Sequence, residues 1–184
     1  MKNLVVLGAG TAGTMAVNKL HRRLPAEEWR ITMVDASPDH HYQPGYLFIP
    51  FGTYTPDQVV KPKKAFVPDG VELVMGEIEL VEPEENRVRL ADGTVLDYDQ
   101  LIIATGTSPR PEETPGLDSD EFGRSVHTFY TLEGATALAE VLRSWDGGRL
   151  VLNVVENPIK CPVAPLEFLF LADSFFKERG MRDR

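Results

Sequence analysis

Cysteine is nearly absent from this sequence, which has only Cys161 among 184 residues. A single cysteine excludes an intrachain disulfide and a cysteine-rich metal site. Histidine is also scarce, with 4 residues. The adjacent pair His40-His41 cannot direct both rings at one ion from an extended segment, so we expect no metal site. A lone cysteine is either a small buried side chain or a reactive thiol, and composition leaves both open.

Basic residues are outnumbered, since 19 Lys and Arg stand against 28 Asp and Glu and give a formal net charge of −9. Such a surface repels phosphate backbones, and we expect no nucleic-acid partner. The chain lacks the run of about 20 apolar residues that a membrane-spanning helix requires. It also lacks a signal-peptide pattern, because an apolar run typical of a strand starts at Asn3. We therefore expect a cytoplasmic protein.

A glycine-rich turn follows the first predicted strand, residues 3–7, and precedes a helix predicted over residues 14–24. The next strand is predicted over residues 30–35. In such a unit Gly8 permits a tight turn, Gly10 lets the backbone approach a pyrophosphate, and Gly13 lets the helix pack closely on the sheet. Asp35, about 20 residues further on, is placed to accept hydrogen bonds from a ribose diol. The alternative is a glycine turn without a ligand and a surface aspartate. The turn reads Gly8-Ala9-Gly10-Thr11-Ala12-Gly13.

A second motif closes a region of predicted β-structure, residues 71–103, in which strands are expected at 71–74, 78–81 and 88–90. A buried strand over residues 101–104 ends in Ala104-Thr105-Gly106. The apolar run with Ala-Thr-Gly resembles the motif of pyridine-nucleotide-disulfide-reductase-like flavoproteins. The resemblance implies FAD, bound by the glycine turn, by Asp35 and by this motif. The implied nucleotide-binding residues are Gly8, Gly10, Thr11, Ala12, Gly13, Asp35, Ala104, Thr105 and Gly106.

The predicted fold is α/β, with a Rossmann-like FAD-binding domain that carries a β-meander, plus the beginning of a second Rossmann-like domain. Residues 1–123 form the first domain and residues 124–184 the incomplete second one. Residues 36–69 show no clean period, apart from a short helix expected near 56–60. In the second domain we expect helices over residues 132–145 and 165–177 and a strand over 150–155. That strand and its helix need further strands beside them, so we expect the chain to be a fragment.

The loop after residue 155 lacks the glycine motif that binds NAD(P)H in the second domain of such flavoproteins. Prolines and bulky side chains stand where a backbone would approach a pyrophosphate, so NAD(P)H should bind poorly. Lys160-Cys161-Pro162-Val163-Ala164-Pro165-Leu166-Glu167 resembles the Cys-Pro-x-Ala-Pro-x-Glu element of sulfide:quinone oxidoreductases and of the flavoprotein subunit of flavocytochrome c sulfide dehydrogenases. Tyr42-Gln43-Pro44-Gly45 is similar to their Tyr-x-Pro-Gly stretch.

The resemblance covers the whole chain but only the first half of a typical member. It implies that Cys161 takes up sulfide sulfur as a persulfide and that the flavin passes electrons to a quinone or a cytochrome. The following helix and Lys160 favour a thiolate at Cys161, and Glu167 is a candidate for moving protons. The alternatives are an inert buried thiol and a solvated helix residue. His127 stands where many members have an earlier cysteine.

No cysteine precedes Cys161, so FAD should be bound non-covalently. An apolar helix at residues 168–176 predicts a core helix, and any exposed part of it favours self-association, hence a homo-oligomer. The full-length protein is expected at the membrane periphery, and the fragment alone should be inactive. Two competing functions stay open: an NADH:quinone-type or ferredoxin-reductase-like flavoprotein, and a non-catalytic FAD- or nucleotide-binding module.

Overall fold

The computed structural model describes residues 1–184 and divides into two compact units. The first unit contains Met1–His41 and Val60–Ser108, and the second contains Tyr42–Val59 and Pro109–Arg184. The domain boundary proposed at residue 123 stays a prediction.

The first unit is built on a four-stranded parallel sheet. The elements of this unit are β1 (Lys2–Leu7), α1 (Thr11–His21), β2 (Trp29–Asp35), β3 (Asp39–His41), β4 (Val60–Pro62), β5 (Glu72–Met75), β6 (Ile78–Glu82), β7 (Arg87–Leu90), β8 (Val95–Asp97) and β9 (Gln100–Ile103). The strand order of the sheet is β5-β2-β1-β9, with β1 between β2 and β9. The helix α1 connects β1 to β2, as the glycine turn predicted.

Alternate residues of β1 pack on opposite faces of this sheet. Val6 belongs to a cluster that includes Val17 of α1, whereas Val5 belongs to a cluster with Val88 and Leu90 of β7. Both faces are therefore covered, one by a helix and the other by the β-meander. This double burial explains why β1 and β2 read as continuous apolar runs rather than as alternating patterns.

The meander consists of β6, β7 and β8 in antiparallel order. The strand predicted over residues 71–74 is present as β5, but it pairs with β2 in the parallel sheet and not with the meander. In the segment that showed no period, β3 and β4 form a short antiparallel pair, with His40 opposite Lys61. Each of these strands has three residues, and so short a strand has no alternation of apolar and polar residues that could be recognised in the sequence.

The second unit is helical. It contains the 3-10 helix Gln43–Phe48, α2 (Pro56–Val59), α3 (Leu132–Ser144) and α4 (Ala164–Glu178). The Thr131 hydroxyl caps α3 by accepting a hydrogen bond from the Gly134 amide. Phe129 stacks on Phe168 with ring centroids 4.9 Å apart. The buried core consists of Leu47, Leu138, Leu142, Phe168 and Ala172.

The strand predicted over residues 150–155 is wrong, because this segment forms no regular element. Leu150 and Leu152 pack against the helical core, while Val151 between them is 70% exposed. The alternation resembles that of a strand, but no neighbouring strand is present in this unit to complete the hydrogen-bonding ladder. The second Rossmann-like domain therefore stays a prediction.

The helix α4 matches the predicted core helix through Phe168 and Ala172, which are buried. Its opposite side exposes Leu166, Leu169 and Phe170, the last to 76%. No helix of the structure combines the length and apolar character needed to cross a membrane.

The packing of the meander on the sheet predicts a large difference between two leucines of one hairpin. Leu90 is fully buried, whereas Leu80 is 46% exposed. Leu90→Ala should lower the free energy of unfolding by about 2–5 kcal/mol, because it leaves a cavity against β1. Leu80→Ala should change it by about 0.5 kcal/mol. Urea unfolding followed by circular dichroism measures both, and equal losses would contradict this packing.

Candidate nucleotide site and cysteine loop

The glycine turn closes tightly at two of its three motif positions and is open at the third. Gly8 has a φ of +94°, and a Cβ built on it would lie 2.3 Å from the carbonyl oxygen of Ala104. A Cβ on Gly13 would lie 1.9 Å from the carbonyl oxygen of Gly8. A Cβ on Gly10 meets no atom within 4 Å. Gly8 and Gly13 thus serve the packing of the turn, while Gly10 faces free space.

The start of α1 lies directly beside this free space. No side chain caps the helix at Gly10, and Thr11 and Ala12 are exposed. The first amides of an α-helix have no acceptor within the helix and carry the positive end of its dipole. This arrangement fits an anionic group such as a pyrophosphate, and the open position at Gly10 lets that group approach the backbone.

The Ala104-Thr105-Gly106 motif lies against the glycine turn. The Ala104 amide donates to the carbonyl oxygen of Leu7 at 2.7 Å and so extends the pairing of β9 with β1. Thr105 and Gly106 are exposed, and Gly106 has a φ of +76° that turns the chain away from the sheet. Two motifs far apart in sequence are therefore adjacent at the carboxyl end of the parallel sheet.

Asp35 ends β2 and is held by three donors. Its Oδ2 accepts the Ala9 amide at 2.7 Å, and its Oδ1 accepts the Ser37 amide at 3.0 Å and the Lys63 ammonium at 2.8 Å. Burial acts to raise the pKa of the Asp35 carboxyl, but the Lys63 hydrogen bond and charge and the two amides outweigh it and hold that pKa below its usual value. Asp35 is therefore an ionised carboxylate, joined to the glycine turn itself.

Cys161 belongs to the second unit and is half-buried in the loop before α4. Its carbonyl oxygen accepts the Ala164 amide at 3.2 Å and the Tyr130 hydroxyl at 3.4 Å. Burial is the main cause that raises the pKa of Tyr130 above its usual value. The Lys160 ammonium donates to the Gln43 side-chain oxygen. That partner is neutral, so no carboxylate is paired with Lys160, which precedes Cys161 in the chain.

The other acid–base candidates have plainer surroundings. Glu167 is exposed in the first turn of α4, where its charge complements the helix dipole. His127 Nε2 is 2.8 Å from the carbonyl oxygen of Arg124, and its Nδ1 is buried without a hydrogen-bond partner. The structure places Cys161 and Glu167 in one unit and all nine predicted nucleotide-binding residues in the other.

Comparison with known proteins decides the family. Residues 2–151 match the family described as pyridine nucleotide-disulphide oxidoreductase. The chain belongs to this family. Its parallel sheet with a glycine turn after the first strand is the Rossmann-like fold expected from the sequence.

Two relatives match different shares of the chain. The mitochondrial sulfide:quinone oxidoreductase of Dictyostelium discoideum is 28% identical over 182 residues, which cover 98% of this chain and 40% of the relative. The type II NADH:quinone oxidoreductase of Staphylococcus epidermidis is 32% identical over 130 residues, which cover 70% of this chain and 30% of the relative. The chain thus spans about two fifths or less of the length of these relatives.

A solved structure, the sulfide:quinone oxidoreductase of Aquifex aeolicus, superposes with a TM-score of 0.70 over 99% of this chain and 41% of the solved chain, at 22% identity. At that identity the match supports the fold.

Sequence reasoning missed Lys63 entirely. This lysine is 4% exposed and donates to the Ser37 carbonyl oxygen at 2.7 Å as well as to Asp35. In the sequence it stands in Lys61-Pro62-Lys63-Lys64, which reads as a solvated basic run. No motif singles it out, because its partners come from β2 and the following turn, which are far away along the chain.

The glycine geometry predicts opposite effects for two alanine substitutions. Gly13→Ala forces a Cβ into the backbone of Gly8 and should lower the free energy of unfolding by about 1–3 kcal/mol or more. Gly10→Ala adds a methyl group in free space at a φ of −76° and should leave stability within about 0.5 kcal/mol. Thermal unfolding of both variants without nucleotide measures this. A larger loss for Gly10→Ala would contradict the geometry.

Proposed function

We propose that this chain is the N-terminal part of an FAD-dependent oxidoreductase that oxidises sulfide and passes the electrons to a quinone or a cytochrome. The observation that carries the proposal is Cys161. The only thiol of the chain lies at the amino end of α4, next to a lysine whose charge is not neutralised by an acid. Relatives named for sulfide oxidation cover 98% of the chain.

The nucleotide site of the first unit suits FAD. The amides at the start of α1 would hold the pyrophosphate, and the open position at Gly10 would let it approach. Asp35 would accept a hydroxyl of the adenosine ribose and repel a 2′-phosphate by its charge. Ala104, Thr105 and Gly106 border the same site from β9. No cysteine precedes Cys161 in the sequence, so we expect FAD to be bound non-covalently.

Cys161 supplies the sulfur chemistry. A bond between the hydrosulfide sulfur and the Cys161 thiolate gives a persulfide and releases two electrons and one proton. FAD, held by the first unit, would supply the two-electron oxidant that this bond requires. The positive end of α4 and the neighbouring Lys160 favour a nucleophilic sulfur at Cys161. Glu167, in the first turn of α4, is the candidate acceptor of the proton.

The loop of Cys161 is held in place from its backbone side. Tyr130 and the Ala164 amide both donate to the carbonyl oxygen of Cys161. The Tyr130 ring in turn lies 5.1 Å from that of Phe129, which stacks on Phe168 of the helical core. The loop is thereby anchored to packed aromatic side chains and not left free in solvent.

A second candidate is NADH:quinone oxidation, which the Staphylococcus relative favours by name. Against it stands the loop after residue 155, which has no glycine motif and carries Pro158, Pro162 and Pro165. Proline lacks the amide donor that a pyrophosphate site requires. Association with a membrane periphery follows from the proposed quinone acceptor, and the exposed apolar face of α4 favours a homo-oligomer.

The electron donor separates the two candidates. The full-length protein should release FAD, identified by absorbance and mass, when it is denatured. In anaerobic stopped flow, sulfide should bleach the flavin absorbance rapidly, whereas NADH and NADPH should bleach it slowly or not at all. Rapid bleaching by micromolar NADH would instead assign the protein to NADH:quinone oxidation. A released cofactor other than FAD would refute both candidates.

Cys161→Ser should leave FAD binding unchanged, because the nucleotide-binding residues lie in the other unit. It should reduce the rate of sulfide-driven flavin reduction at least about 100-fold, since a serine hydroxyl is not ionised at neutral pH and cannot carry sulfur. Glu167→Gln is the matched variant on α4 and should slow the reaction less. A Cys161→Ser protein that oxidises sulfide at the parent rate would show that the cysteine only packs.

A further inference from the structure

Lys63 is a buried lysine whose ammonium group has two hydrogen-bond acceptors. Its side chain is 5% exposed, and its ammonium contacts the Asp35 carboxylate at 2.8 Å and the Ser37 carbonyl oxygen at 2.7 Å. The backbone also fixes the residue, because the Lys63 amide donates to the Pro38 carbonyl oxygen at 2.8 Å. Lys63 thus links the 3-10 helix Lys63–Phe66 to the turn that follows β2.

The hydrogen bonds of Asp35 leave little acceptor capacity. A carboxylate offers about four acceptor positions. Ala9 occupies one on Oδ2, and Ser37 and Lys63 occupy two on Oδ1. One position remains, on Oδ2, the oxygen that already contacts the glycine turn. The side chain can therefore accept one further hydroxyl in this arrangement, and three donors hold its present orientation.

We propose that Lys63 is a positioning residue for the nucleotide: it holds the Asp35 carboxylate so that the remaining acceptor position of Oδ2 receives one hydroxyl of the adenosine ribose. This rests on the proposed binding of FAD. A pair that served stability alone would not need its carboxylate tied to Ala9 of the nucleotide-binding turn.

The groups around Asp35 come from several elements, and any of them can affect a pH-dependent measurement. Lys63 faces it from the 3-10 helix, and the amides of Ala9 and Ser37 face it from the adjoining turns. His40 of β3 lies at the same turn, with Nδ1 3.4 Å from the Ala9 carbonyl oxygen. A change of FAD affinity with pH must therefore be assigned by removing the Asp35 charge in a matched variant.

The test is a fluorescence titration of the full-length protein, stripped of its cofactor, with FAD between pH 5.5 and 7.5. Lys63→Met should weaken FAD binding about tenfold at pH 7.5. The loss should grow as the pH falls, because removal of the ammonium raises the pKa of the Asp35 carboxyl relative to the unsubstituted protein and so favours its protonation. The unsubstituted protein should show little change over this range. Lys63→Arg retains the charge and should keep that flat profile.

Asp35→Asn provides the matched background. It should weaken binding about tenfold by itself, and Lys63→Met added to it should change the affinity less than about twofold, with no remaining pH dependence. The double variant replaces an ion pair by neutral groups and is expected to fold. Lys63→Gln, which keeps a donor without the charge, gives the same comparison if Lys63→Met does not fold.

Three results overturn the proposal while FAD binding stands. They are an unchanged affinity in folded Lys63→Met or Lys63→Gln, an equal loss from Lys63→Met with and without Asp35→Asn, and a parent affinity in Asp35→Asn itself. Failure of the unsubstituted protein to bind FAD would overturn the proposed function and this inference together. A pH dependence that persists in the double variant would point to His40 and also contradict the role of Lys63.

Discussion

The close approach of backbone segments at Gly8 is the constraint on which the first unit depends. The Gly8 amide donates to Val34 of β2, the carbonyl oxygen of Ala104 lies where a Cβ would project, and the Gly8 carbonyl oxygen occupies the corresponding place at Gly13. The ends of β1, β2 and β9 and the start of α1 therefore meet at one point. A side chain at Gly8 or Gly13 would separate these segments, and the site at the sheet edge would be lost with them.

Charge is concentrated at the same edge. The first amides of α1, which have no acceptor within the helix, lie at this edge. Asp35 lies there too, held by the amide of Ala9 in the glycine turn. Lys63 offsets the cost of burying that carboxylate, since an unpaired buried charge is strongly unfavourable. The result is a sheet edge at which free amide donors lie beside an ionised carboxylate, the groups on which the proposed nucleotide binding rests. The amides and the carboxylate are adjacent because the parallel strands β1 and β2 end at the same edge of the sheet.

The second unit contributes a different kind of site. Its core of leucine and phenylalanine side chains positions α3 and α4, and the loop before α4 carries the only thiol. The Tyr130 hydroxyl and the Ala164 amide both donate to the carbonyl oxygen of Cys161 and so hold the backbone of this loop. A nucleotide-binding unit and a cysteine-bearing unit are thus both present within two fifths of the length of the relatives named for sulfide oxidation.

The sequence by itself determined the parallel sheet, the glycine turn, α1, α3 and α4, because buried runs, glycines of special geometry and helical periodicity are local signals. It also placed Gly8, Gly13 and Asp35 in one site. Only the tertiary structure decided that β5 joins the parallel sheet, that residues 150–155 form no strand, and that Lys63 pairs with Asp35. Each of these depends on a partner distant along the chain: a strand needs a neighbour to complete its hydrogen bonds, and a lysine is buried only where a carboxylate meets it.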